Sequence, residues 1–213
     1  MNLIYIADPM CSWCYGFGKE LSALMKDFPD MPLRIVVGGL RAGNTKVMDE
    51  AMKTYMLSHW TRVAAASGLP FHREALSARQ GFVYDTEPAC RAVVTARLLA
   101  PEVELLRVFR AIQHAFYAEG MDVTRGDLLA QVASAAMTEA GFLTDPSRFL
   151  AAWKSEITIT ETRADFDQTK AWGIAGFPAL MLQKDEKFYP LASGYTHADT
   201  LAADLRGILE QSH

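Results

Sequence analysis

Residues 3–14 read LIYIADPMCSWC, which joins a short apolar run to a pair of cysteines. The run Leu3–Ala7 contains β-branched and aromatic residues and stops just before a proline, so it predicts a buried strand followed by a turn. Between Cys14 and Phe28, apolar residues recur at helical intervals, which predicts an amphipathic helix. A C-x-x-C motif between a strand and a helix is typical of a redox pair.

The spacing of Cys11 and Cys14 suits a disulfide that opens and closes. Two cysteines three residues apart straddle the first turn of a helix, so their sulfurs can join with little backbone movement. The free N–H groups and the positive end of the helix favour the thiolate of the first cysteine. We therefore predict that Cys11 is the nucleophile and that Cys14 resolves the mixed disulfide.

The alternative interpretation of the C-x-x-C motif is half of a zinc site. Such a site needs two further nitrogen or sulfur ligands at suitable spacing. The remaining cysteine is single, and the histidines are scattered without an H-x₃₋₅-H pair: they are His59, His72, His114, His197 and His213. The residues therefore favour a redox pair, and we expect no metal.

The rest of the chain shows strand patterns near its two ends and helical patterns between them. Leu33–Leu40 predicts a second strand, so the chain starts β-α-β. From about Lys46 to Trp172 the patterns are helical, with no convincing strand. Near the end, Pro178–Gln183 and Phe188–Leu191 predict a hairpin, and a helical pattern follows. The sequence thus predicts an α/β fold with a large all-helical insertion.

A second motif lies at residues 173–182, which read GIAGFPALML. Pro178 opens an apolar strand directly after a glycine-containing turn. A proline cannot donate to a sheet ladder, so it must lie at the start or the edge of a strand. An X-Pro bond adopts the cis form at modest cost. Beside an upstream C-x-x-C, a cis bond before Pro178 is the favoured interpretation.

The two motifs, DPMCSWCYGF at 8–17 and GIAGFPALML at 173–182, resemble the DsbA-like branch of the thioredoxin superfamily. They closely resemble the cytoplasmic FrnE-like group of predicted disulfide isomerases. The resemblance implies a thioredoxin-like fold with a helical insertion. We expect residues 1–44 and 160–213 to form a discontinuous thioredoxin-like domain and residues 45–159 to form the inserted helical domain.

The resemblance also implies roles for single residues. Cys11 corresponds to the exposed nucleophile, Cys14 to its buried partner and Pro178 to the cis-proline that stands opposite the disulfide. Phe177 would then offer its backbone N–H and C=O to an extended substrate, which gives broad specificity. Trp13 borders the thiols, where it would either form an apolar rim for the substrate or pack the insertion against the main domain.

Two other functions stay open at this point. The same branch holds 2-hydroxychromene-2-carboxylate isomerase and the kappa-class glutathione transferases, so a glutathione-dependent isomerase or transferase acting on a small molecule is one alternative. Those relatives typically have Ser where this chain has Cys11, and this departure favours thiol redox chemistry. The other alternative is a holdase that binds unfolded chains without catalysis.

Composition limits the partners and the compartment. The chain has 213 residues, half of them hydrophobic, and a net charge of −4, with no block of Lys or Arg that would bind nucleic acid or an acidic membrane. Three cysteines are too few for a disulfide-stapled secreted scaffold. Without a secretory signal pattern or a membrane-spanning apolar run, we expect a cytoplasmic protein.

The redox interpretation also fixes what we expect to bind. Thiol–disulfide exchange needs no bound metal or organic cofactor, because another thiol restores the enzyme. We expect protein or peptide disulfides and dithiols as substrates, and glutathione or a thioredoxin-like donor as the external thiol. Cys90 is expected to be a small buried hydrophobe rather than a redox residue. Asp8 is expected to serve its turn, with an effect on thiol ionisation as the alternative.

Overall fold

The computed structural model describes residues 1–210, which form four strands and nine helices. The strands are β1 (Asn2–Ala7), β2 (Leu33–Val37), β3 (Ala179–Lys184) and β4 (Lys187–Ser193). The helices are α1 (Ser12–Asp27), α2 (Glu50–Ser67), α3 (Arg73–Ala78), α4 (Glu87–Leu99), α5 (Leu105–Tyr117), α6 (Gly126–Glu139), α7 (Pro146–Trp153), α8 (Glu156–Ala171) and α9 (Ala198–Glu210). Across this range, no helix has the length and apolar character needed to cross a membrane.

The four strands form one mixed sheet in the order β2-β1-β3-β4. β1 runs parallel to β2, with Leu3 opposite Leu33, and antiparallel to β3, with Tyr5 opposite Leu180. β3 and β4 form an antiparallel hairpin. The predicted order of β-α-β, helices and β-β-α is confirmed, and with it the α/β fold class.

The helical segment between β2 and β3 contains α2 to α8. Between residues 46 and 172, all of which are described, β structure is limited to an isolated bridge between Val47 and Val83. The boundary expected at residue 160 falls inside α8, which runs without interruption from Glu156 to Ala171. The division into two domains stays a prediction.

Aromatic side chains join the insertion to the sheet in one hydrophobic core. Tyr5 in β1 stacks on Phe17 in α1 and meets Phe109 in α5 edge to face, with ring centroids 5.7 and 5.6 Å apart. All three rings are buried. Large aromatic side chains supply much of the area buried in a core, so these contacts hold α1 and α5 firmly against the central strand.

The outer edge of β2 is closed by an ion pair instead of a further strand. Arg97 in α4 donates to the Ile35 carbonyl at 3.0 Å, and Asp165 in α8 accepts from the Val37 N–H at 3.0 Å. Arg97 and Asp165 also bind each other at 2.9 and 3.1 Å. The pair thus satisfies backbone groups that an edge strand leaves free, and it ties two helices of the insertion to the sheet.

We predict that Asp165→Ala lowers the free energy of unfolding by about 3 kcal/mol, because it leaves the Arg97 charge and the Val37 N–H without their partner. Urea denaturation followed by circular dichroism measures the change.

Asp167→Ala is the matched control, since it removes the exposed ion pair between Asp167 and Lys170 from the same helix. That substitution should change the free energy of unfolding by less than about 1 kcal/mol. Equal effects of the two substitutions would show that the edge contact does not stabilise the fold.

Candidate active site

The two cysteines of the C-x-x-C motif lie at the N-terminus of α1. Cys11 occupies the N-cap position with extended backbone angles, and its N–H donates to the Asp8 carbonyl at 3.0 Å. Cys14 is fully buried in the first turn. Cys11 is only 6% exposed, so it is not the open surface thiol that the resemblance implies. The loop before β3 covers its sulfur from one side, and the residue lines a cavity rather than the open surface.

Burial separates the chemistry of the two thiols. It raises the pKa of Cys14 well above its usual range, and a hydrogen bond and charge repulsion from Cys11 raise it further. Cys14 therefore holds its proton, while the Cys11 sulfur stands at the N-terminal end of α1, where the unpaired N–H groups favour negative charge. This arrangement suits an attacking Cys11 and a Cys14 that reacts second.

The loop before β3 brings Phe177 and Pro178 against the first cysteine. The Phe177–Pro178 peptide bond is cis, in agreement with the sequence pattern. The Cys11 sulfur lies 3.7 Å from the Phe177 carbonyl oxygen, although the two residues are 166 positions apart in the chain. The Pro178 carbonyl accepts from the Gly194 N–H at 2.8 Å, which ties this loop to the end of β4.

Gly38 makes room for the aromatic ring of Phe177. A Cβ atom at position 38 would stand 2.1 Å from the Phe177 Cζ atom, far inside van der Waals contact. The Gly38 N–H continues the sheet by donating to the Ala7 carbonyl at 2.8 Å. The absence of a side chain here lets the Phe177 ring pack against the end of β2, which positions the loop opposite Cys11.

Asp8 holds the turn before the cysteines and a second loop as well. Its Oδ1 accepts from the Met10 N–H at 2.8 Å, which confirms the expected turn. Its Oδ2 accepts from the Leu40 N–H at 2.6 Å and from the Cys90 thiol at 3.5 Å. Burial raises the pKa of Asp8, and hydrogen bonds from Thr86 and from these donors oppose that rise.

Cys90 is fully buried, and burial raises the pKa of its thiol well above the usual range. Its role as a small buried residue, with a hydrogen bond to Asp8, fits the expectation for an unreactive thiol. The influence of Asp8 on proton transfer stays a hypothesis.

Two tyrosines of the insertion hold the residue before Cys11. The hydroxyl groups of Tyr84 and Tyr117 both donate to the Met10 carbonyl, the second at 2.6 Å. Burial raises the pKa of both hydroxyls, so they remain donors. Sequence patterns gave no sign of this role, because both tyrosines look like ordinary core residues in the helical segment.

The cavity beside Cys11 has a volume of about 450 Å³. Its walls come from the cysteine turn, the loop after β2, helix α2 and the loop before β3, and they include Trp13, Arg41, Trp60 and Phe177. Trp13 also packs on Tyr195 in the loop before α9, with ring centroids 5.9 Å apart. Trp13 thus lies on the cavity wall and contributes to packing, and its role in substrate binding stays a prediction.

The described residues contain no cluster of three or more His, Cys, Asp or Glu side chains that would hold a metal ion. His59 lies on the cavity wall, and His213 lies outside the described residues.

Comparison with known proteins gives one family model and several solved structures that this chain resembles. A family model described as the DSBA-like thioredoxin domain matches residues 3–206. A Nitrosomonas europaea protein, provisionally assigned as a protein disulfide isomerase, is 34% identical, with a TM-score of 0.88 over 100% of this chain and 98% of that one. The cytosolic disulfide reductase DsbM from Pseudomonas aeruginosa is 24% identical, with a TM-score of 0.80 over 99% of this chain and 100% of that one.

A 2-hydroxychromene-2-carboxylate isomerase is 17% identical, with a TM-score of 0.69 over 100% of this chain and 98% of that one. At these sequence identities, the likeness to DsbM and to the isomerase shows only that this chain has the same fold. A search of curated proteins found no match.

We predict that iodoacetamide labels Cys11 of the reduced, folded protein at least about tenfold faster than Cys14 or Cys90, because those two side chains are completely buried and their pKa values are raised, whereas Cys11 is 6% exposed and lines a cavity. Mass spectrometry of the digested protein measures each site. In denaturant the three cysteines should label at similar rates, and equal labelling of Cys11 and Cys14 in the folded protein would contradict the assigned roles.

We predict that Gly38→Ala lowers the free energy of unfolding by about 1–3 kcal/mol, because the new methyl group forces the Phe177 ring out of place. Thermal unfolding measures the effect.

Two controls isolate this contact. Gly207→Ala in α9 adds a methyl group that meets nothing within 4 Å, so it should not destabilise the protein. In a Phe177→Ala background, Gly38→Ala should change the free energy of unfolding by less than about 0.5 kcal/mol. An undiminished penalty in that background would mean that the Phe177 ring is not its cause.

Proposed function

We propose that this chain, which belongs to the DSBA-like thioredoxin family, is a thiol–disulfide oxidoreductase with Cys11 and Cys14 as its redox pair. The proposal rests on the position of the Cys11 sulfur, 3.7 Å from the Phe177 carbonyl and next to the cis peptide bond. No hydrogen bond within residues 1–210 uses the Phe177 N–H. That N–H is therefore free to pair with the main chain of an extended substrate as its disulfide meets Cys11.

The reaction proceeds in two exchanges. The Cys11 thiolate attacks one sulfur of the substrate disulfide, a bond forms between them, and the substrate S–S bond breaks. The departing sulfur takes the electron pair and then a proton. Cys14 next loses its proton and attacks the Cys11 sulfur, which releases the second substrate thiol and leaves a Cys11–Cys14 disulfide. In reverse, the same steps oxidise a dithiol.

The burial of Cys14 supports this order of events. A protonated Cys14 does not compete with Cys11 for the first attack, because the thiolate is the nucleophile. The raised pKa of Cys14 has charge repulsion from Cys11 among its causes. Once Cys11 is bound in a mixed disulfide its negative charge is gone, so Cys14 ionises more easily and can attack.

We further propose protein or peptide disulfides as substrates and reduction or isomerisation as the natural direction. Two glutathione molecules, which become glutathione disulfide, or one thioredoxin-like dithiol, which becomes a disulfide, give two electrons and two protons to the Cys11–Cys14 disulfide and restore the dithiol. The likeness to DsbM, a cytosolic reductase also solved with GSH, supports a cytoplasmic setting and a glutathione partner. Neither a metal nor a bound organic cofactor takes part in these steps.

One observation favours a second function, glutathione-dependent isomerisation or transfer on a small molecule. The cavity of about 450 Å³ beside Cys11 has the size of a small-molecule site. The fold is also that of a 2-hydroxychromene-2-carboxylate isomerase. No comparable observation supports the holdase alternative.

We predict that the protein accelerates reduction of insulin disulfides by dithiothreitol and that Cys11→Ala returns the rate to that of dithiothreitol alone, because the nucleophile is lost. Turbidity of the released insulin chains follows the reaction. Cys14→Ala, reduced and freed of dithiothreitol before insulin is added, should accumulate a mixed disulfide between Cys11 and the substrate, which mass spectrometry detects.

A wild-type protein no faster than dithiothreitol alone would overturn the proposed redox function. Glutathione-conjugating or isomerising activity that survives Cys11→Ser would favour the second function. Circular dichroism of each variant controls for loss of the fold.

A further inference from the structure

Arg41, in the loop after β2, lines the cavity that contains the Cys11 sulfur. Its side chain is partly buried, yet its guanidinium group makes no hydrogen bond or ion pair with any described residue. The other partly buried arginines of residues 1–210 all bind acceptors: they are Arg73, Arg79, Arg91, Arg97 and Arg110. A guanidinium group that lines a cavity and has no acceptor within the described part of the protein is available to a ligand that supplies one.

The backbone of the Arg41 loop is fixed from two directions. The Arg41 N–H donates to the Thr86 hydroxyl at 3.1 Å, and the Asn44 N–H donates to the Arg41 carbonyl at 3.1 Å. The Leu40 N–H donates to Asp8 at 2.6 Å. A group on such a loop binds with little ordering cost, because its main chain is already in place.

Asp8 also fixes the loop of Arg41 relative to Cys11. One oxygen of its carboxylate binds the N–H of Met10, the residue before Cys11, and the other binds the N–H of Leu40, the residue before Arg41. The buried side chain of Asp8 thus holds both the backbone next to Arg41 and the backbone next to Cys11. This arrangement suits a ligand that presents an anionic group and a sulfur at a set separation.

The charges around the cavity favour an anion. No Asp or Glu is among the described residues that line it. His59 stacks beside Tyr55 on α2, with ring centroids 4.3 Å apart, and partial burial and the nearby Arg62 lower the pKa of His59. His59 is therefore neutral at neutral pH, and Arg41 is the cationic member of the lining.

We infer that Arg41 binds a carboxylate of the disulfide or thiol that reacts with Cys11, so that the cavity selects small thiol compounds carrying a carboxylate. The inference rests on the proposed redox function and adds the substrate class of its site. A guanidinium group binds a carboxylate through two parallel hydrogen bonds, which lysine cannot reproduce. The bound carboxylate directs the sulfur of the same molecule towards Cys11.

The test compares two disulfides as oxidants of the pre-reduced protein. Glutathione disulfide carries carboxylates, and 2-hydroxyethyl disulfide is neutral. In each case one disulfide accepts two electrons and becomes two thiols, while Cys11 and Cys14 form a disulfide. Quenching with an alkylating agent followed by mass spectrometry gives the half-saturating concentration and the limiting rate.

Arg41→Gln should raise the half-saturating concentration of glutathione disulfide about tenfold or more, because a charge-assisted hydrogen-bond pair is lost. It should change the reaction with 2-hydroxyethyl disulfide less than about twofold, since that compound has no group for Arg41 to bind. Arg41→Lys should give an intermediate effect, because a single charge remains without the two parallel hydrogen bonds.

Arg148→Gln is the matched control, because it removes the same charge from an exposed position on α7 outside the cavity, and it should alter neither reaction. Equal effects of Arg41→Gln on both disulfides, or no effect on either, would overturn the role of Arg41. Failure of the redox function looks different, because neither compound would then oxidise the wild-type pair. Reduction of insulin by dithiothreitol tests whether the carboxylate comes from a small molecule or from a protein. If Arg41→Gln lowered the rate of insulin reduction but left the reaction with glutathione disulfide unchanged, acidic protein substrates would replace the small-molecule assignment.

Discussion

The buried carboxylate of Asp8 is the contact on which the geometry of the site depends. Its two oxygens hold the N–H groups of Met10 and Leu40, at 2.8 and 2.6 Å. A carboxylate removed from water is destabilising unless donors replace the lost hydration, and here main-chain N–H groups do so together with Thr86 and Cys90. Two loops that are distant in sequence are thereby kept side by side at one end of the sheet.

The insertion is part of the site rather than an appendage to it. Tyr84 and Tyr117 bind the carbonyl before Cys11, and α2 supplies one wall of the cavity. The sheet contributes the opposite side through Phe177, whose ring fits against Gly38. The C-x-x-C motif at the N-terminus of α1 is thus surrounded by three separate parts of the chain: the tyrosines of the insertion, α2 and the loop at Phe177. Together these parts limit the exposure of Cys11.

Local pattern was enough to predict the strand and helix around Cys11, the hairpin after Pro178 and the order of elements, because each depends on neighbours in sequence. It was not enough for contacts that join remote positions. Tyr84 lies 74 residues from the carbonyl it binds, and Leu40 lies 32 residues from Asp8. Arg41 belongs to a loop with no periodic pattern. The expected exposure of Cys11 was wrong for the same reason, since its cover comes from distant segments.

The ion pair of Arg97 and Asp165 has a consequence for association between molecules. It occupies two main-chain groups of β2, the Ile35 carbonyl and the Val37 N–H, while the opposite edge strand, β4, contains Pro190, which has no N–H to offer. Both borders of the sheet are thus poor templates for another chain. Under the proposed function, an extended substrate would therefore pair with the Phe177 N–H in the loop before β3, and neither edge of the sheet would recruit it as a further strand.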